Sequence, residues 1–277
     1  MSGIGESNKE LGNAINSISS LITIASDTEE GRTAAKNIGS SAVTITAAVN
    51  NLLLPIAVVN FAFERARDYF NEKFENDLRK KLKDVNPESL VEPNPQIASK
   101  VLNGLAFSHN EKPLRDLYLN LLSGAMQADN AQEAHPAFAE IISQLRPDEA
   151  KLLATFFTNG AAFPIVQFRS QELTGGSFSV LCEHIMNLQA EDGTGPDEVA
   201  SLPVMIENWI RLGLVFVDYS TILAEKDAYK WAESRPEYLR LLNQDAEGKE
   251  IIIKKGLIEA TAFGKEFGKQ VILSPSS

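Results

Sequence analysis

The sequence is poor in the residues that build redox and metal sites. Cys182 is the only cysteine, which excludes an intramolecular disulfide and favours a reducing, cytoplasmic location. None of the three histidines, His109, His135 and His184, has another histidine three or four residues away. The Cys and His spacings of zinc sites are missing as well. Spacing alone therefore predicts no metal site and no cofactor.

Catalytic motifs and positive charge are also scarce. The chain has no G-x-S-x-G elbow and no G-x-x-x-x-G-K-[ST] phosphate loop, so we expect no enzyme activity of those classes. Lys and Arg total 26 against 37 Asp and Glu, giving a net charge of −11. This balance disfavours nucleic acid as a partner, because broad binding to phosphates needs a basic surface. The first residues show no basic stretch leading into an apolar run, which predicts no secretory signal.

One long uncharged stretch, residues 37–63, stands out near the beginning of the chain. It exceeds the roughly 20 apolar residues that cross a bilayer. Asn50, Asn51 and Pro55 interrupt it, which favours a buried helix pair broken near the proline. The alternative is a segment that inserts into a membrane when the protein is activated.

The middle of the chain has the apolar spacing of amphipathic helices. Helices are predicted at about residues 61–85, 95–107 and 111–127, with Asn94 as a cap and Pro95 in the first turn. A basic cluster ends the first of these helices, where positive charge complements the helix dipole; the alternative is a phosphate or lipid contact. The cluster comprises Arg79, Lys80, Lys81 and Lys83.

The stretch HPAFAEIISQLRPDEAKLL, residues 135–153, contains two prolines that each fit the first turn of a helix. Asp148 and Glu149 then fall where a helix dipole favours acids. His135 could act as a general base together with Glu140. The simpler interpretation is that His135 begins a helix and that its imidazole forms a hydrogen bond with the backbone. This stretch is therefore interpreted as helix punctuation.

The last third of the chain mixes strands with helices. Strands are predicted at 163–168, 214–220 and 251–261, and helices at 179–189, 199–212 and 263–271, with a partly helical stretch at 228–242. This order of elements resembles a winged-helix domain. Winged helices bind either DNA or other proteins, and the acidic composition of this chain favours a protein-docking module. The predicted fold class is mainly α: a multi-helix core followed by a small winged-helix-like α+β module. The predicted domains are residues 1–60, 61–146 and 147–277.

Three blocks in the middle of the chain are distinctive: VEPNP at 91–95, LYLNLLSGAM at 117–126 and HPAFAEIISQLRPDEAKLL at 135–153. Through these blocks, about residues 53–155 resemble a bacterial family known as Abi-alpha, for abortive infection alpha. The resemblance implies a role in defence against bacteriophage, in which an infected cell is stopped before progeny spread. It supplies no catalytic residues.

Three hypotheses follow for the mechanism. The first is an interaction protein that recognises a phage or host protein and forms homo-oligomers. The second is a membrane-active effector that uses residues 37–63, and the third is an enzyme such as a nuclease. We expect the first, with no catalytic, cofactor or metal residues. Its candidate interaction positions are Arg79, Lys80, Lys81, Lys83, Glu92 and His135.

Overall fold

The structure is a computed structural model of the chain, which describes residues 60–86, 89–160, 162–173, 176–190, 193, 195–243 and 249–273, with side chains from residue 66 onward. The predicted N-terminal region, residues 1–60, falls almost entirely outside the described residues. The side chains of the uncharged run 37–63 lie outside them too. Contacts divide the described chain into two compact units, residues 60–151 with 269–273, and residues 152–268.

The first unit is helical. Its elements are α1 (Asn60–Glu72), α2 (Phe74–Leu82), α3 (Pro95–Ser108), α4 (Lys112–Ala125), α5 (Pro136–Ser143) and the beginning of α6 (Pro147–Asn159). α3 packs against α1, α4 and α5, and α2 packs against α4. The buried residues at the contacts include Leu78, Ile97, Leu105, Leu121 and Ile142. The predicted helices at 95–107 and 111–127 are confirmed as α3 and α4.

Proline and polar caps set where these helices begin. The Asn94 side chain accepts a hydrogen bond of 2.8 Å from the Gln96 backbone amide, which confirms the predicted cap. Glu149 lies in the first turn of α6 and is buried. Its carboxylate accepts a hydrogen bond of 3.3 Å from the Arg146 backbone amide. The acids of residues 148–149 are thus explained by helix electrostatics, as predicted.

The chain returns to the first unit at its end, through a short π-helical turn, Gly268–Ile272. The Asn120 side-chain amide donates to the Val271 carbonyl at 2.8 Å, and Lys269 forms an ion pair with Glu133. A hydrogen bond across 151 residues of chain ties α4 to this terminal turn. Asn120 is buried, so leaving its amide without a partner would be costly.

The second unit contains a four-stranded antiparallel sheet in the order β2-β1-β4-β3. Its strands are β1 (Ala162–Glu172), β2 (Phe178–Met186), β3 (Val215–Asp218) and β4 (Lys249–Ala260), and its helices are α7 (Leu202–Arg211), α8 (Pro236–Leu242) and α9 (Ala262–Phe267). β1 and β4 pair continuously from Ala162–Glu259 to Glu172–Lys249. β2 lies at one edge, and α7 packs against β2 and β3.

A cluster of large side chains covers one face of this sheet. Val166, Phe168 and Ile185 contact Tyr229 and Ala232, which lie around a 3-10 helix, Lys230–Ser234. The Tyr229 hydroxyl donates to the Gly256 carbonyl at 2.8 Å and accepts from a backbone amide. This packing excludes water from the middle of the strands, and the two hydrogen bonds satisfy the buried Tyr229 hydroxyl.

A buried arginine links α8 to the segment that follows β2. Arg235 is 2% exposed, and its guanidinium holds both carboxylate oxygens of Glu237, at 2.6 and 2.9 Å. The same group donates to the carbonyls of Leu188 and Asp197, at 3.2 and 2.9 Å. This set of partners satisfies the buried charge, which would otherwise be strongly destabilising.

The predicted fold class, mainly α with a winged-helix-like module, is wrong. The described chain is an α+β protein, because the second unit is organised by a four-stranded antiparallel sheet with strands of up to 12 residues. Residues 179–189, predicted as a helix, belong mostly to β2, whereas the predicted strand at 251–261 is confirmed as part of β4, which ends at Ala260. The winged-helix interpretation failed because it treated these strands as a small peripheral ribbon. The predicted strand at 163–168 and helix at 199–212 are confirmed as parts of β1 and α7.

Within the described residues, no helix combines the length and the apolar character needed to cross a membrane.

Candidate functional site

A groove of about 450 Å³ lies in the first unit, between α3, α4 and α5. The side chains of Leu114, Tyr118 and Ile142 form its apolar part. Phe107 stands at its side with 74% of its surface exposed, although α3 is otherwise well packed. A concave groove that combines apolar side chains with a few polar groups is a common form of small binding site.

Lys100 and Glu140 face each other across the groove, from α3 and α5. Their side chains form an ion pair and are 38% and 58% exposed. Since each charge is compensated by the other, this pair adds no net charge to the groove. The Ser143 hydroxyl, also in the lining, donates to the Glu140 carbonyl at 2.6 Å.

The floor of the groove depends on close packing between Gly104 and Tyr118. A Cβ atom at position 104 would overlap the Tyr118 ring at less than 3.0 Å. The Tyr118 hydroxyl donates to the Ala139 carbonyl at 3.4 Å, and burial raises the pKa of this phenol to about 12. Glycine is therefore required where α3 approaches the ring of α4, and this contact sets the depth of the groove.

The basic cluster predicted as an interaction site lies at the end of α2 and just beyond it. Each of its four cations has an acidic neighbour. The pairs are Arg79–Glu75 at 2.5 Å, Lys80–Asp77 at 3.0 Å, Lys81–Asp116 at 4.0 Å and Lys83–Asp84 at 3.5 Å. Carboxylates at these distances compete with an incoming phosphate, so the cluster offers little uncompensated positive charge.

The other two predicted positions lie elsewhere in the first unit. Glu92 is exposed on the extended segment before α3. His135 caps α5, and its Nδ1 accepts a hydrogen bond of 3.1 Å from the Ala137 backbone amide. The helix-start interpretation of His135 is confirmed, whereas an interaction role for all six positions stays a prediction.

A second polar cluster, which sequence reasoning missed, lies in the second unit where β2 meets α7. The ligand-type atoms of Glu183, His184 and Glu207 all fall within 4.8 Å of one another. His184 is 5% exposed, while both glutamates are exposed. The imidazole Nε2 is 2.8 Å from Glu207 Oε1, and Nδ1 is 3.2 Å from the Tyr219 hydroxyl.

An irregularity in β2 creates this cluster. The pairing of β1 with β2 shifts register between Val166 and Phe168, and His184 has a φ of +56°. Neighbouring residues of a regular strand point to opposite faces, but a bulge redirects one of them. Glu183 and His184 can therefore approach the same point, although they are adjacent in sequence.

Tyr219 holds the imidazole from the other side. Its ring stacks on that of His184, with centroids 6.2 Å apart, and its hydroxyl accepts the His184 backbone amide at 3.2 Å. Burial raises the pKa of the Tyr219 phenol, although hydrogen bonds with the His184 backbone amide and the Gln167 side chain act in the opposite direction. A Cβ at Gly256 would lie 2.6 Å from Tyr219 Cδ1, so the glycine leaves room for this ring.

Sequence spacing had no means to identify the cluster. Glu207 lies 23 residues after His184, and Tyr219 lies 35 residues after it. The sequence predicts a helix at residues 179–189, and residues two apart in a helix do not share a face. The positive φ of a histidine inside a strand is visible only in the structure.

Comparisons with known proteins give one broad match. A family model described as abortive infection alpha matches residues 66–271. No curated protein matches the chain. A solved structure of an uncharacterized protein from the hydrocarbon-degrading marine bacterium Alcanivorax borkumensis SK2 shares 15% identity, with a TM-score of 0.32. That match covers 50% of this chain and 92% of the other, and at such a TM-score it does not establish a common fold.

Proposed function

The chain belongs to the abortive infection alpha family, and from this membership we propose that it is an anti-phage defence protein that acts by recognising a protein partner. The family points to abortive infection as the biological process. The groove between α3, α4 and α5 is the observation that supports recognition as the mechanism. In this proposal a phage or host protein occupies the groove, and its binding commits the infected cell to stop.

The groove favours a partner that inserts one apolar side chain. Its volume is within the range of about 300–1,000 Å³ that is common for ligand sites. Phe107 provides an aromatic surface beside an apolar floor, and exposed aromatic residues often dominate the energy of protein interfaces. Asn103 and the Lys100–Glu140 pair provide polar groups at the edge, where a partner's backbone can form hydrogen bonds.

Charge favours a protein partner over a phosphate-bearing one. Lys100 is paired with Glu140, and the basic cluster of α2 is paired with Glu75, Asp77, Asp84 and Asp116. The whole chain carries a net charge of −11, which repels nucleic acid and anionic lipid. An uncharged apolar segment meets none of this repulsion.

Plaque formation tests the proposal with two matched substitutions. Phe107→Ala removes the exposed aromatic side chain of the groove, and Leu173→Ala removes an exposed apolar residue of the second unit that is 67% accessible. Both proteins should fold and accumulate alike, because the deleted side chains are largely in solvent. We expect Phe107→Ala to lose protection against a phage that the native chain restricts, and Leu173→Ala to retain it. Equal protection by both variants would contradict recognition through the groove.

A further inference from the structure

We propose that Glu183, His184 and Glu207 form a binding site for a divalent transition-metal cation of the Zn²⁺ class. The site would take one imidazole nitrogen from His184 and carboxylate oxygens from the two glutamates. It lies within the second unit and does not depend on the proposed partner groove of the first.

The donor set determines the class of ion. Imidazole nitrogen suits Zn²⁺ and its transition-metal neighbours, whereas Mg²⁺ and Ca²⁺ prefer all-oxygen sites. Zinc binds three protein ligands in sites that keep a position open for water or substrate. The three candidate atoms lie within 4.8 Å of one another. Both glutamate side chains are exposed, so they can rotate until their carboxylate oxygens reach coordination distance from the cation.

The imidazole is fixed more firmly than a chance surface contact requires. His184 is 5% exposed, and Tyr219 holds it by ring stacking and by the contact of its hydroxyl with Nδ1 at 3.2 Å. Histidines that bind metals usually have their second ring nitrogen bonded in this way, which fixes the tautomer and the ring orientation. With Nδ1 engaged by Tyr219, Nε2 is the nitrogen that points toward the carboxylates.

The negative charge of the cluster is only partly compensated, because the charge of Arg169 acts on the neighbouring Tyr219. Within the described residues, neither Glu183 nor Glu207 forms an ion pair with a lysine or arginine, and Glu207 contacts the His184 imidazole. Arg169 on β1 donates to Gln167 at 2.6 Å and lies 4.1 Å above the Phe178 ring, so its side chain is engaged there. Two carboxylates against one imidazole leave a local negative charge that a divalent cation would neutralise.

Binding changes the tautomer of His184 without oxidation or reduction. In the metal-free protein, a proton on Nε2 can donate to Glu207 Oε1 at 2.8 Å. When the cation takes the lone pair of Nε2, the neutral imidazole carries its proton on Nδ1, where the Tyr219 oxygen accepts it. The Tyr219 hydroxyl can either donate to Nδ1 or accept from it, so its contact holds the ring in place in both tautomers.

Calorimetric titration of the full chain with Zn²⁺ tests the site. The native protein, stripped of metal, should bind one Zn²⁺ that the Glu183→Gln/Glu207→Gln variant no longer binds at that affinity. Tyr219→Phe should weaken binding by about 10- to 100-fold, the usual effect of losing a partner of a metal-bound histidine. Glu172→Gln, on an exposed residue at the end of β1, is the control and should bind like the native chain.

Two outcomes would overturn the proposal: no Zn²⁺ binding by the native chain, or binding that the double glutamine variant keeps unchanged. The glutamine substitutions are isosteric and exposed, so loss of folding cannot imitate loss of the site, and circular dichroism of each variant verifies this. X-ray absorption of the zinc complex should show one imidazole nitrogen with oxygen ligands at about 2.0–2.2 Å. A spectrum without imidazole would also reject the assignment. Because protection against phage is not the readout, this result is independent of the groove experiment.

Discussion

Replacing Gly104 by alanine is the sharpest structural perturbation available in the groove. The added methyl group would overlap the Tyr118 ring at Cε1, Cζ and Oη, at distances that real Cβ atoms essentially never show. Tyr118 is 1% exposed, and its hydroxyl is bonded to the Ala139 carbonyl, so the ring has no free space to enter. The substitution must therefore displace α3 from α4 or move the ring into the groove.

The expected magnitude combines two opposing effects. Forcing an extra methyl group into a packed core costs about 1–3 kcal/mol. Alanine in place of glycine inside a helix recovers about 0.5–1 kcal/mol, because the unfolded chain loses less entropy. We therefore expect Gly104→Ala to lower the free energy of unfolding of the first unit by about 1–2 kcal/mol.

Urea unfolding, combined with hydrogen exchange of the α3 and α4 amides, measures this change in the first unit. Asn103→Ala is the control, because this exposed neighbour gains helix propensity without meeting Tyr118. The double variant Gly104→Ala/Tyr118→Leu should be more stable than the sum of the single effects implies, with a coupling of about 0.5–3 kcal/mol. If Gly104→Ala proves as stable as the native protein, the packing account of the groove floor is refuted.

Three further predictions concern other parts of the molecule. Arg235→Ala should destabilise the second unit by about 3–5 kcal/mol in urea unfolding, since it leaves the largely covered Glu237 carboxylate without its cation. Arg240→Ala, at an exposed pair with Glu198, should change the stability little, and equal effects of the two substitutions would refute the distinction. His135→Ala should cost about 1 kcal/mol in the same assay through loss of the α5 cap, and His135→Asn should retain most of it; no difference between them would show that the cap is unimportant. Hydrogen bonds from the side chains of Ser220 and Thr221 lower the pKa of the exposed Asp218 carboxyl to about 2, so its turn should be stabilised above the unfolded pKa and should lose that contribution as pH falls through about 2. Carbon-13 NMR titration should give that pKa and a higher one in Ser220→Ala, and an ordinary value in the native chain would contradict the assignment.

The helical half of the fold could be predicted from sequence because its signals are local. Asn94, His135 and Pro147 mark helix starts, and each acts within a few residues of its own position. Apolar residues at helical spacing then follow over three or four turns. Such patterns need no knowledge of which distant segments meet.

The sheet could not be predicted as reliably, because non-local pairing determines it. In β2 the first four residues are exposed and the last three are all buried, so the alternation that identifies a strand is missing. Register shifts against β1 interrupt the alternation, and at one of them the ligand atoms of Glu183 and His184 come within 4.8 Å of each other. The irregularity that hid the strand also created the candidate metal site.

The candidate groove was only partly visible in the sequence. Glu140 was considered as a partner of His135, but in the structure it pairs with Lys100, 40 residues earlier. Phe107 was not singled out, because one exposed aromatic residue at the end of an apolar helix looks like part of its core. Its 74% exposure depends on how α3 and α5 pack and is not encoded in the spacing of α3 itself.

One-step phage growth in cells that carry the native chain, Phe107→Ala or no chain tests the central claim most directly. The account predicts that infected cells with the native chain die or stop growing and release few phage. It also predicts that cells with Phe107→Ala release as many phage as cells that lack the protein. Normal phage release from cells with the native chain would contradict the defence function. Restricted release from cells with Phe107→Ala would contradict recognition through the groove.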